Sequence, residues 1–303
     1  MHPKVSIIIS TKNSADVIAS CLSSIKSQTY GNIEIIVVDH PQTTDNTFQI
    51  AQQYTEKVYK YGVERCPQRN FAARQATGKY ILVIDSDMEL SPRVVEASVA
   101  KMENSDELSG IVIPEESFGQ GFWADCKQLE RSFYLGVDWI EAARFFRLAD
   151  FRKVGGYNEN LVMGEDWDLS QRMAQLGPTG RITEFIYHNE GRINLVQTLK
   201  KKLYYARIFK QYARHTQAPS QFNHQSSVWQ RYALFFSQPK KLLNNPKLAA
   251  GMLFMKTAEL STGAIAIIIS DPWLGARLVY NRSQELIGNS FRWVVSSVKS
   301  LVF

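Results

Sequence analysis

Cysteine is scarce in this chain of 303 residues: Cys21, Cys66 and Cys126 are odd in number, far apart and without Cys-x-x-Cys spacing. That pattern supports neither a disulfide framework nor a thiolate zinc site, and it points to a reducing compartment, the cytoplasm. Glycine is missing from Ser10 to Ala15, the turn after the first apolar run, so no glycine-rich phosphate cradle follows that run. Long apolar stretches are missing too. Leu248 to Ile269 is interrupted by Lys256 and Glu259, and what remains uninterrupted is too short for a membrane-spanning helix. The opening MHPKVSIIIS is also too short, and too soon followed by Lys12 and Asn13, to be a signal peptide, and is expected to be a first strand. Acidic charge is in the minority. Thirty-five Lys and Arg face 29 Asp and Glu, a net +6 that suits an anionic partner such as a nucleotide, nucleic acid or acidic membrane.

What is present is a full core's worth of apolar residues, 45%, arranged in alternating periods. Val5 to Ser10, Ile33 to Val38 and Tyr80 to Ile84 are short, β-branched and apolar on both faces, as strands of a helix-covered parallel sheet are. Ser14 to Gln28 carries Val17, Ile18, Cys21, Leu22 and Ile25 at helical spacing, with Asn13 or Ser14 as N-cap. Further helices are expected over Asp45 to Tyr54 and Gln68 to Ala76, and from Ser91, with Pro92 at the first helical position. The order βαβαβαβα predicts a doubly wound, mostly parallel α/β sheet, whose ligands sit beyond the carboxyl ends of the strands. Thr11 and Asn13, Asp39, and Asp85 with Asp87 fall at three such ends.

Asp85 and Asp87 are two residues apart, so on an extended chain they face one side and can share one ligand or divide two neighbouring ones. Two carboxylates without thiols or clustered imidazoles favour Mg²⁺ or Mn²⁺, held partly by substrate phosphates. The alternative is that Asp87 merely turns the chain toward the next helix.

Four segments, in order, carry a family resemblance: Val5-Ser6-Ile7-Ile8-Ile9-Ser10-Thr11-Lys12-Asn13, Glu34-Ile35-Ile36-Val37-Val38-Asp39, Gln68-Arg69-Asn70, and Gly78-Lys79-Tyr80-Ile81-Leu82-Val83-Ile84-Asp85-Ser86-Asp87. They resemble the nucleotide-sugar half of family 2 inverting glycosyltransferases of the GT-A fold. Gly155-Gly156-Tyr157-Asn158-Glu159 and Gly164-Glu165-Asp166-Trp167-Asp168-Leu169 resemble the acceptor half. The resemblance covers about residues 4 to 195. It departs from the family in the Asp39-His40-Pro41-Gln42-Thr43-Thr44 turn and in Ser10-Thr11-Lys12-Asn13, where the polar anchors nevertheless remain.

The resemblance implies a GT-A-like domain over residues 1–195, with a nucleotide-sugar half (1–110) and an acceptor half (111–195), followed by a helical C-terminal region (196–303). It also implies that Asp39 bonds the nucleobase, Thr11 and Asn13 line the nucleoside pocket, Asp85 holds ribose or sugar, and Asp87 binds the metal. Arg69 is a second positive partner of the diphosphate or a structural ion pair. In the family, the Asp of a pair such as Glu165-Asp166 is the general base, which makes Asp166 the base and Glu165 its support. Taken alone, the pair equally complements a helix dipole. His188 lies where relatives carry a histidine near the diphosphate, as a further metal ligand or an ordinary loop histidine. Trp123, Arg144 and Trp167 are further candidates for sugar or acceptor contact, although a Trp at helical spacing is more often core.

Beyond about residue 195 the composition changes. Lys200 to Arg214 carries six basic and no acidic side chains, interleaved with Leu203, Tyr204, Phe209 and Tyr212. That suits an anionic bilayer surface or a pyrophosphate-linked lipid, while no nucleic-acid reading module accompanies it. Residues 216 to 227 read as a loop. Ile287, Phe291, Val294, Val298 and Leu301 form an amphipathic stripe that faces a membrane, a core or a second copy.

The expectation is an enzyme that moves a sugar from a nucleoside diphosphate to a saccharide or lipid-linked acceptor, with Mg²⁺ or Mn²⁺, at the cytoplasmic face of a membrane. A nucleotidyltransferase is disfavoured by the glycine-free first turn. A non-catalytic membrane scaffold is disfavoured by the intact Asp85, Asp87 and Asp166.

Overall fold

The computed structural model describes residues 2–203 and 227–270. Four strands, β1 (Val5–Thr11), β2 (Ile33–Asp39), β3 (Val58–Lys60) and β4 (Tyr80–Asp85), run parallel. With β6 (Gly110–Val112), β8 (Ala143–Arg147) and β9 (Thr179–Arg181) they form a seven-stranded sheet in the order β3-β2-β1-β4-β8-β6-β9. The β4 to β8 and β8 to β6 pairings are antiparallel, so the sheet is mixed, with β8 reversed.

Alternation along each strand distributes side chains to two cores. Ile7, Ile9, Val37 and Leu82 pack under helices α1 (Ile18–Lys26) and α4 (Val94–Glu103), while Ile8, Ile36 and Val83 pack under α3 (Arg65–Gln75) and α7 (Glu165–Met173). Between them lie α2 (Thr47–Gln52), α5 (Phe122–Ser132) and α6 (Leu148–Lys153). A second sheet of β5 (Met88–Leu90), β7 (Glu115–Gln120) and β10 (Ile186–Arg192) stands in the order β5-β10-β7.

Helix starts differ from the sequence expectation, two of them because the expected residue is bonded elsewhere, and α2 starts at Thr47 rather than Asp45. Ser14 is not a cap: its Oγ accepts from Ser86 Oγ at 2.9 Å and donates to the Lys12 carbonyl at 3.3 Å, and α1 begins only at Ile18. Asn13 takes a left-handed backbone (φ 49°), and its Oδ1 accepts from the Thr44 N–H at 2.9 Å. Ser91 accepts from the Phe185 N–H, tying β5 to β10, so α4 starts beyond Pro92 at Val94. Helix α3 starts at Arg65 rather than Gln68, because Pro67 in the first turn has no N–H to lose there.

Toward the C-terminus, residues 195–203 form α8, and α9 (Val228–Phe236), α10 (Pro239–Asn244) and α11 (Pro246–Ser270) follow. Phe235, Met252 and Met255 build a third core with Cys126 and Phe133 at and just beyond α5. Gly251 permits the close crossing, since a Cβ there would sit 2.6 Å from Cys126 Sγ. Inside this interface Glu130 is fully buried, and it receives Lys256 Nζ at 2.6 Å and Lys127 Nζ at 2.9 Å. Among the described residues no helix is long and apolar enough to cross a membrane. Most of Lys200 to Arg214, the 216 to 227 loop up to residue 226, and the 287 to 301 stripe lie outside the described residues.

Candidate active site

The parallel strands end where the chemistry gathers. In register, Thr11 stands beside Asp39 on one side of β1 and Ser10 beside Asp85 on the other. With neighbouring strands roughly 4.8 Å apart, the Asp39 and Asp85 backbones are roughly 10 Å apart on one edge.

At the β2 end, Asp39 is fully buried. Its Oδ1 accepts from Thr11 Oγ1 and Thr43 Oγ1, both at 2.7 Å, while Oδ2 is buried without a hydrogen-bond partner among the described residues. A buried carboxylate oxygen left open is costly unless a ligand donates to it. Asn13, through Thr44, ties the turn after β1 to the turn after β2.

At the β4 end, Arg69 on α3 is a buried rivet. It reaches Asp85 Oδ1 at 2.7 Å, Asp166 Oδ1 at 3.1 Å and Glu165 Oε1 at 3.6 Å, and its guanidinium stacks over Tyr157 at 4.9 Å. Burial pushes Asp85 up, but Arg69 and then Arg144 reverse this and hold it far below the usual carboxylate range. Arg69 therefore forms the ion pair that was one of its two sequence readings.

Asp166 is the second residue of α7, whose N-cap Gly164 takes a left-handed backbone (φ 79°). Its Oδ1 also accepts from Tyr157 Oη at 3.1 Å, and among the described residues both of these bonds go to that one oxygen. Burial and then Asp166 keep the Tyr157 hydroxyl well above its usual range, so it stays a donor. Glu165 is buried and pairs with Arg65 at 3.0 Å; burial and the Asp166 charge beside it push its carboxyl up.

Asp87 follows Asp85 and precedes β5. The antiparallel β5 to β10 pairing sets His188 opposite Met88, and His188 Nε2 lies 3.3 Å from Asp87 Oδ2. Burial opposes the imidazolium, yet the Asp87 hydrogen bond outweighs it and raises His188 above the ordinary imidazole value. Asp87 Oδ1 is buried without a hydrogen-bond partner among the described residues, as a waiting ligand oxygen would be. Among the described residues no cluster of three or more His, Cys, Asp or Glu forms a closed metal cage. The set fits a hard divalent cation that takes one carboxylate and one imidazole from the protein and its other ligands from phosphate and water.

A cavity of about 420 Å³ joins the β4 end to α7 and β10, with Asp85, Asp166, Glu165, Arg144, Trp167 and His188 among its walls; Asp39 and Asp87 are not among them. Arg144 bonds Glu115 at 2.6 Å, and its NH1, buried 3.9 Å from Asp85 Oδ2, has no hydrogen-bond partner among the described residues. Trp167 is oriented by Nε1 donating to the Ile140 carbonyl at 2.9 Å. Trp123 is placed elsewhere: it packs against Phe254 of α11, ring centroids 6.1 Å apart, in the third core. Sequence reasoning passed over Tyr157, Arg65 and Glu115. Tyr157 sits in the quoted Gly155-Gly156-Tyr157 segment, whereas Arg65 and Glu115 carry no spacing signal.

Residues 6–154 match the family model for Glycosyl transferase family 2. An uncharacterised glycosyltransferase of Escherichia coli, YibD, is 32% identical over 99 residues, 31% of this chain and 28% of that protein. A PGL/p-HBAD biosynthesis glycosyltransferase of Mycobacterium bovis is 30% identical over 181 residues, 56% of this chain and 69% of that protein. The chain belongs to glycosyltransferase family 2. As a family 2 chain it spans less than a third of the first of these curated relatives and just over two thirds of the second. In fold it is similar to a mannosyltransferase of Pyrobaculum calidifontis solved with GDP-Man and Mn²⁺, with a TM-score of 0.56 at 17% identity, covering 95% of this chain and 81% of that one. The family 2 fold here is thus an α/β, GT-A-like one with a mixed sheet.

Proposed function

We propose that this chain is an inverting glycosyltransferase that moves a sugar from a nucleoside diphosphate to a hydroxyl of a saccharide or lipid-linked acceptor, with Asp166 as general base. The observation that carries the reading is the Arg69 bridge. It brings Asp85 of the first half and Asp166 of the second to one cavity wall, which His188 shares.

In this reading the acceptor oxygen attacks the anomeric carbon from the Asp166 side as the carbon to phosphate-oxygen bond breaks on the other. The acceptor proton passes to the Asp166 carboxylate, and the nucleoside diphosphate leaves with the bonding pair. Arg69 and Tyr157 on Oδ1 fix the rotamer of the base. Asp87 and His188 would hold Mg²⁺ or Mn²⁺, which supplies positive charge to the leaving diphosphate oxygens without a proton donor. The open Oδ2 of Asp39 would accept an N–H of the nucleobase, with Thr11 and Asn13 shaping the pocket around it. The Trp167 indole and the spare Arg144 N–H would face sugar or acceptor within the cavity.

Calorimetric titration with UDP, GDP, TDP and CDP, each with and without Mn²⁺, tests the donor site. One nucleotide is expected to bind with Mn²⁺ dependence, and Asp87→Ala is expected to remove that dependence. Binding of none of the four would overturn the reading in favour of a scaffold that kept the fold and lost turnover.

A further inference from the structure

The helices after the catalytic frame present a surface that sugar transfer does not use. On α9, Trp229 and Phe236 are 75% and 58% exposed, and on α11 Phe254 is 60% exposed. They are not scattered. Trp229, Ala233 and Phe236 recur at four and three residues as an exposed apolar stripe on α9, while the exposed line Lys247, Ala250, Phe254 and Thr257 on α11 is mixed, with Phe254 flanked by polar residues. The two helices meet where Tyr232 Oη and Thr257 Oγ1 hydrogen-bond at 2.6 Å. Leu243 on α10, 73% exposed, stands between them in the chain, flanked by the exposed Lys240 and Lys247.

Charge identifies the occupant. Between Glu190 and Glu259 the sequence holds twelve Lys and Arg and no Asp or Glu, so the whole positive excess of the chain falls in this stretch. Glu259 is itself buried against Lys256 and adds no negative surface. A protein partner or a second copy of this chain would ordinarily be met with charges of both signs. Exposed Trp and Phe among lysines, without any carboxylate, match an anionic bilayer, where aromatic rings enter the headgroup boundary and ammonium groups meet lipid phosphates.

We propose that α9, α10 and α11 form an interfacial membrane-docking face, with Trp229, Phe236, Leu243 and Phe254 entering the headgroup region and Lys240 and Lys247 contacting anionic lipid. This would seat the chain peripherally on a cytoplasmic leaflet. It stands whether or not the sugar-transfer reading does, since no residue of the cavity takes part.

The three native cysteines are buried, so an introduced one can be labelled selectively. The full chain carrying Phe236→Cys or Phe254→Cys, each with an environment-sensitive naphthalene dye, is mixed with vesicles of phosphatidylcholine alone or with phosphatidylglycerol. Lys101→Cys on the exposed side of α4 serves as the control position. A blue shift at both test positions and none at the control is expected, with phosphatidylglycerol only. Lys240→Glu combined with Lys247→Glu is expected to weaken vesicle partitioning roughly tenfold or more. Vesicle binding without a shift at positions 236 and 254 would overturn the proposal, as would no binding. A shift that grows with protein concentration in the absence of lipid would also overturn it, and would assign the face to a second copy.

Discussion

Replacing Arg69 by Met keeps side-chain volume on α3 and removes the cation that three carboxylates share. Asp85, Asp166 and Glu165 lie 2.7, 3.1 and 3.6 Å from it. Asp85 would keep only Arg144 at 3.9 Å, Glu165 would keep Arg65 at 3.0 Å, and Asp166 would keep no cation among these contacts. Taking one partner from a buried pair costs about 3–5 kcal/mol, because the charge left behind is uncompensated. At about 2–4 °C per kcal/mol for a domain of this size, the melting temperature should fall by about 10 °C. The loss should depend on pH. In the parent chain the folded-state value of Asp85 is depressed, so its contribution is complete above the ordinary carboxylate range and is lost only in strong acid. In Arg69→Met burial acts with less opposition, Asp85 titrates higher, and protonation relieves the penalty as pH falls. The gap between parent and variant should be widest near about pH 7.5 and narrower near about pH 5. Thermal melts at both values measure it. A loss below about 2 °C, or a gap equal at both values, would refute the bridge as a stabilising element.

Asp166→Asn should reduce sugar transfer about 10²–10⁴-fold while nucleotide binding stays within twofold or so, read by turnover and calorimetry. Unchanged transfer would remove Asp166 from the role of base. Glu34 is raised by burial, but Lys57, Ser6 and Thr77 outweigh that and bring it down to about 2. Glu34→Gln should therefore cost about 1.5–3 kcal/mol at neutral pH in urea unfolding. That difference should shrink as the pH falls from the ordinary Glu value toward about 2, and vanish only below it, where the carboxyl is protonated in the folded and the unfolded state alike. Gly156 has φ 67°, and a Cβ there would meet Asn70 Oδ1 at 2.6 Å. Gly156→Ala should cost about 1–3 kcal/mol and lower turnover as well, because Asn70 positions the Tyr157 backbone and Tyr157 holds Asp166. Equal stability and kcat would refute that chain of contacts.

The parallel half of the sheet was legible in the sequence because Val5 to Ser10, Ile33 to Val38 and Tyr80 to Ile84 are buried on both faces, and such runs announce themselves by composition. The reversal of β8 was not legible, since Ala143–Arg147 reads as a strand in either direction and only its neighbours fix the sense. Helix starts slipped by three or four residues where Ser14 and Ser91 spend their bonding groups on distant partners. In the site, spacing put Asp85 and Asp87 at one strand end, but the extended geometry that would face them to one side does not hold, because β4 stops at Asp85 and Ser86-Asp87 turn. Spacing could not pair Asp87 with His188 or Arg69 with Asp166, because those contacts cross about a hundred residues and depend on register between sheets. Trp123 shows the converse: an indole beside charged groups suggested a sugar face, and the core position that helical spacing favours is the one it takes, under α11.

The Glu130 to Lys256 pair joins positions 126 residues apart across the α5 to α11 interface. Residues 6–154, which match the family model, contain the carboxylate but not the lysine. A fragment trimmed to the family match, or to residue 195, would leave Glu130 with Lys127 alone, without Lys256, and would bare Cys126 and Phe133 to water. For protein production, then, the unit to express is set by this interface rather than by the reach of sequence similarity. Grafting a different tail onto this catalytic frame would have to supply a matching cation.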